Sequence, residues 1–120
     1  LITSANNMLD ECVGEVVFIN RDNSLVTNLK HEIRYVDISE FPISALTQLL
    51  AFISGLIAEN YDIKAIYVDG LAKYEAKQEQ YPDFFDKIKH LSEKFDTQFV
   101  FSVSGDISGI PEYVVKEYSC

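Results

Sequence analysis

Ile63-Lys64-Ala65-Ile66-Tyr67-Val68-Asp69-Gly70 is the stretch that decides the fold. Six mainly apolar residues make a run too short for a helix, of the kind found in a strand buried on both faces. The run closes on one carboxylate and one glycine, with helical patterns on either side. Upstream, Ile43, Leu46, Leu49, Leu50, Ile53, Leu56 and Ile57 recur at i, i+3, i+4 and i+7 behind Pro42, which fits the first turn of a helix. Downstream, Phe84, Phe85, Ile88, Leu91 and Phe95 share one helical face, with Pro82 near its start. A buried strand between two helices is the repeating unit of α/β proteins. An aspartate at its carboxyl end stands where open α/β sheets bind ligands.

The rest of the chain continues this alternation. Glu15-Val16-Val17-Phe18-Ile19 is a second short apolar run, closed by the turn cluster Asn20-Arg21-Asp22-Asn23-Ser24. Leu25, Val26 and Leu29 suggest one or two helical turns. Ile33 to Ile38 and Thr97 to Val103 read as strands, the latter followed by Ser104-Gly105-Asp106 as a turn. Leu1-Ile2-Thr3 reads as the end of a strand and Ser4 to Asn7 as a polar turn. Met8 to Val13 reads as a short helix stopped by Gly14. Tyr74 to Gln80 is a loop or a helix opening, and Pro111 starts a last short helix through Tyr113, Val114 and Tyr118. Alternating β and α predicts a three-layer α/β/α fold with a mainly parallel sheet and right-handed crossovers. With no repeat, linker or low-complexity segment, the expectation is a single domain over residues 1–120.

Composition narrows the function classes. Nineteen acidic residues against ten basic ones give a net charge of −9, which opposes binding to nucleic acid or to an anionic membrane and suits a basic protein partner. The longest apolar helix candidate, Ile43 to Ala58, is interrupted by polar residues and is shorter than a bilayer span of about 20 residues. Cys12 and Cys120 form neither a C-x-x-C pair nor a disulfide framework, so two reduced thiols in a cytoplasmic protein are expected.

Each candidate for chemistry has a structural counterpart. Asp69 could ligate a metal or accept a proton at a strand end. It could equally cap the next turn, or Asp69-Gly70 could turn a hairpin of Ala65–Val68 with Leu71–Tyr74. Glu75 to Gln80 continues such a strand poorly. Ser4-Ala5-Asn6-Asn7 occupies the place of a phosphate loop if a strand precedes it, and Ser4 and Asn6 are the residues that would touch a nucleotide there. Yet G-x-x-x-x-G-K-[ST] is absent, and without glycine or lysine the segment reads more simply as an ordinary turn. His31 and His90 stand in charged surroundings with no partner at ligand spacing. Tyr74, Tyr81, Tyr113 and Tyr118 with Phe84 and Phe85 lie among acidic residues, which fits core packing or a protein interface and not stacking on nucleic acid. No Ser-His-Asp, Cys-His or nucleophile-elbow pattern is present.

Taken together, four segments resemble the RecA/KaiC-like core of the P-loop ATPase superfamily over nearly the whole chain. Glu15–Ile19 resembles the second core strand, and Ile43–Glu59 the helix before Walker B. Ala65-Ile66-Tyr67-Val68-Asp69 matches the Walker B pattern of four apolar residues and an aspartate. Phe99 to Ser104 resembles the next strand, whose polar end, here Ser104, senses the γ-phosphate in active members. Walker A is missing. Val68-Asp69-Gly70-Leu71-Ala72-Lys73-Tyr74 is also similar to a stretch in an uncharacterised, mainly archaeal family that keeps this core without a phosphate loop.

The resemblance implies a non-hydrolysing regulatory, sensory or protein-interaction domain, with no catalytic residue and no cofactor. The partner it implies is a protein with a basic surface or another copy of the chain. One alternative is a fragment of a P-loop ATPase whose Walker A lies upstream of Leu1, with Asp69 on Mg²⁺ and with ATP bound. Another is a receiver-like phospho-acceptor built on Asp22, Asp69, Ser104 and Lys116. That second pattern departs from a receiver in having Asn20-Arg21-Asp22 for an acidic pair and too few residues between Ser104 and Tyr113 for a helix.

Overall fold

The computed structural model describes residues 2–11, 14–102 and 113–114. In chain order the elements are α1 (Ile2–Glu11), β1 (Glu15–Asn20), β2 (Arg34–Asp37), α2 (Leu46–Glu59), β3 (Ile63–Val68), α3 (Gln80–Phe95), β4 (Gln98–Phe101) and β5 (Tyr113–Val114). Short 3-10 turns cover Val26–Asn28, Ile38–Glu40 and Leu71–Lys73. The five strands form one sheet in the order β2-β1-β3-β4-β5. The first four run parallel, and β5 is antiparallel to β4. The α/β class and the mainly parallel sheet follow the reading of the apolar runs.

Side chains alternate across the sheet and separate two apolar layers. Val17 and Ile19 of β1, Ile66 and Val68 of β3, and Phe99 and Phe101 of β4 pack with α2 and α3. Val16 and Phe18 of β1, with Ala65 and Tyr67 of β3, face the other way onto Ala5 and Met8 of α1 and onto Leu29 and Ile33. Phe18 lies between two stacked rings, Tyr35 at 5.9 Å and Tyr67 at 6.2 Å between centroids. It is fully buried, and burying such a side chain contributes about 1.5–3 kcal/mol.

Three expectations are corrected and one alternative is removed. Ile2 and Thr3 do not end a strand and Ser4–Asn7 is not a turn, because Ile2–Glu11 is one helix; Leu1 falls outside the described residues. Ile2, Ala5, Met8 and Leu9 give that helix an apolar stripe against the sheet, which outweighs the local turn preference of the polar residues between them. Pro42 is not in the first turn of α2, which begins at Leu46. The start is fixed there because Gln48 Oε1 accepts the N–H groups of Ser44 (2.8 Å) and Ala45 (3.0 Å), while Leu46 N–H donates to Glu75 O at 2.9 Å. Asp69-Gly70 does not turn a hairpin. Gly70 adopts a left-handed conformation (φ 72°) and leads into the 3-10 turn at Leu71–Lys73. Tyr113–Val114 lie not in a helix but in β5, where this aromatic and β-branched pair adds to the Val100–Phe101 edge. The turn expected at Ser104–Asp106 falls outside the described residues, as do Cys12, Val13, Lys116, Tyr118 and Cys120.

Among the described residues no helix is long and apolar enough to cross a membrane.

Candidate functional site

From β1 the chain passes to β2 on one side, and β3 and β4 then add on the other side of β1. This reversal between β1 and β3 is the position where open α/β sheets hold ligands, outside the carboxyl ends of the strands. Asn20 and Asp37 are register partners at the ends of β1 and β2. Asp69 follows β3, and its N–H extends the ladder to Ile19 O at 3.0 Å. Ser102 follows β4, with its N–H on Val68 O at 3.0 Å. The carboxyl edge therefore reads Asp37, Asn20, Asp69, Ser102 across four strands.

Asp69 is half-buried and engaged. The Ser102 hydroxyl donates to Asp69 Oδ1, and Ser102 Oγ accepts the Gly70 N–H at 3.0 Å. Leu71 N–H donates to Ser102 O at 2.9 Å. One serine thus ties the end of β4 to three consecutive residues after β3. Lys73 curls over Gly70, where an added Cβ would stand 3.0 Å from its side chain.

The turn after β1 is built on Asn20 and Asp22. Buried Asn20 accepts the Arg21 N–H at 2.9 Å and donates to Asp22 Oδ1 at 3.3 Å. Asp22 also accepts the hydroxyl (2.6 Å) and N–H (2.9 Å) of Ser24. The Ser24 bonds hold its carboxyl below the usual value, with a smaller contribution from the positive charge of Lys73. Arg21 lies over the Tyr74 ring at 5.1 Å and reaches Ile43 O at 3.4 Å. Tyr74 is buried, and its hydroxyl has no hydrogen-bond partner among the described residues. Burial pushes this phenol up to about 12, partly offset by Arg21.

Ser4 and Asn6, the residues expected to touch a nucleotide, lie in α1 and hydrogen-bond to other parts of the fold. Ser4 Oγ is 2.9 Å from Tyr67 Oη. Asn6 donates to Asn28 O at 3.2 Å and accepts the Lys30 N–H at 2.9 Å. Ser104, the expected sensor, is outside the described residues. The serine brought to Asp69 is Ser102, which the sequence reading missed. The available signal was register: Val68 pairs with Phe101, so the residue after each is adjacent. Among the described residues no group of three or more His, Cys, Asp or Glu side chains is arranged to hold a metal ion. His31 and His90 are exposed, and His31 Nδ1 is 3.0 Å from Glu32.

Compared with known protein families, curated proteins and solved structures, the chain matches none.

Proposed function

We propose that this chain is a non-hydrolysing α/β module of RecA-like type that regulates or binds another protein. One observation carries the reading. At the strand end where an active nucleotide-binding relative would hold Mg²⁺, the Asp69 carboxylate accepts the Ser102 hydroxyl and joins two strands. Two further features support it. Ser4 and Asn6 direct their polar groups to Tyr67 and to backbone at 28 and 30, and the acidic excess favours a basic protein partner over nucleic acid.

Calorimetric titration with ATP and with ADP, each with Mg²⁺, tests the reading on the wild type and on Asp69→Ala. The expected result is no binding heat in either protein. Micromolar binding that disappears in Asp69→Ala overturns it in favour of an ATPase fragment whose phosphate loop lies upstream.

A second reading, phosphoryl acceptance by Asp69, is favoured by the turn Asn20–Asp22, Asp69 and Ser102 sharing one sheet edge. Titration with beryllofluoride and Mg²⁺, followed through backbone amide resonances, separates the two. Shifts confined to residues 20–22, 69–73 and 102 support acceptance of a phosphoryl group, and an unchanged spectrum removes it.

A further inference from the structure

Two cavities lie end to end between α2 and α3, one of about 360 Å³ and one of about 330 Å³, and both are bordered by Leu50 and Lys87. Leu46, Leu50 and Phe84 give the first its apolar lining, and Leu50 and Leu91 the second. From Leu46 to Ser54, α2 rises about 12 Å, so the groove takes roughly two turns of an apposed helix.

The two banks differ in charge. The α2 bank contributes Thr47 and Ser54 and no charged residue. The opposite bank carries Glu79, Asp83 and Asp86 against Lys87, whose ammonium is 2.9 Å from Asp83, with the imidazole of His90 at the far end. Glu79 and Asp86 have no ion-pair partner among the described residues. A guest helix complementary to this groove has an apolar stripe and basic residues along the single flank that faces α3. An acidic guest would meet like charges, and the net charge of −9 adds long-range steering toward a cationic partner.

We propose that the groove between α2 and α3 docks a basic amphipathic helix of a partner protein, with its apolar stripe over Leu50 and its Lys or Arg flank along Glu79 and Asp86. This rests on the protein-interaction reading above and supplies the surface and the partner's chemistry. Helix-in-groove recognition with i, i+3, i+4 and i+7 anchors is the corresponding mode.

The test uses two fluorescent helical peptides with the same leucine stripe, one with lysines on its flank and one with glutamates. Binding is measured by anisotropy to the whole chain, to Glu79→Lys/Asp86→Lys, and to Glu32→Lys/Glu40→Lys, which makes the same charge change away from the groove. The expected result is binding of the lysine peptide only, weakened about tenfold or more by the groove pair and much less by the control pair. Equal loss in both variants, or equal binding of both peptides, overturns the proposal. So does a dimer in sedimentation that Glu79→Lys/Asp86→Lys dissociates, since a second copy would then cover the groove. If the peptide test fails while the nucleotide titration stays silent, the interaction reading survives with another surface. Nucleotide binding removes that reading whether or not the peptide binds.

Discussion

Ser102 stands between Asp69 and Gly70, donating its hydroxyl to the carboxylate of the first and accepting the N–H of the second at 3.0 Å. Ser102→Ala removes both bonds and leaves a half-buried carboxylate without its donor. We expect a loss of about 1–2 kcal/mol in urea unfolding. Amide exchange should accelerate most at Gly70, whose N–H loses its acceptor. Unchanged stability and unchanged Gly70 exchange would show that the tie is not a structural fixture.

Two glycines predict opposite responses to the same substitution. Gly14 has φ 144°, and an added Cβ would meet Lys64 Cγ at 2.1 Å and Asp62 O at 2.7 Å. Gly14→Ala should destabilise by about 2–3 kcal/mol. Gly55 lies exposed inside α2 with nothing within 4 Å of its added Cβ. Gly55→Ala should stabilise by about 0.5–1 kcal/mol. Thermal melts of the two variants check both signs.

Tyr74 links stability to alkaline pH. Its phenol ionises at about 12 in the folded chain against 10.0 when unperturbed. Unfolding therefore releases a proton between those values, so the contribution is complete below pH 10 and is lost as pH rises toward 12. Tyr74→Phe keeps a ring beneath Arg21 and removes a buried hydroxyl that lacks a partner among the described residues. It should raise stability at pH 7 by about 1 kcal/mol and flatten the alkaline slope. A loss of stability at pH 7 would show that the hydroxyl is hydrogen-bonded.

Asn6 separates structural from nucleotide-binding use of α1. Asn6→Ala breaks its bonds to Asn28 and Lys30 and should cost about 1 kcal/mol. Its calorimetric trace with ATP and Mg²⁺ should match the wild type. A nucleotide signal present in the wild type and lost in Asn6→Ala would return this residue to a binding role.

Legibility in the sequence followed burial. β3 was readable to the residue, and β1 to within one, because both central strands are apolar on both faces. α2 was readable as a helix from its stripe of Leu46, Leu49, Ile53, Leu56 and Ile57. Its start was not, because it depends on Gln48 and on the distant Glu75 carbonyl. The first helix was legible from Met8 onward, but residues 2–7 were misread because four consecutive small or polar residues hid a stripe that only the sheet makes meaningful. Asp69 was legible as a strand-end carboxylate. Its partner was not, since a shift of two residues in the pairing of β4 would place Ser104 beside it instead of Ser102.

The strand order also sets a timetable. β1 is flanked by β2 and β3, and both are made after it. During synthesis the apolar run Val16–Ile19 leaves the ribosome with neither edge paired, and one edge stays open until Ile63–Val68 has followed. Parallel pairing of strands so far apart in sequence is slow, and unpaired apolar edges are where nascent chains stick to one another. The helix Ile2–Glu11 emerges before β1 and packs on one face of it, which gives this first strand a local shield while it waits for its neighbours.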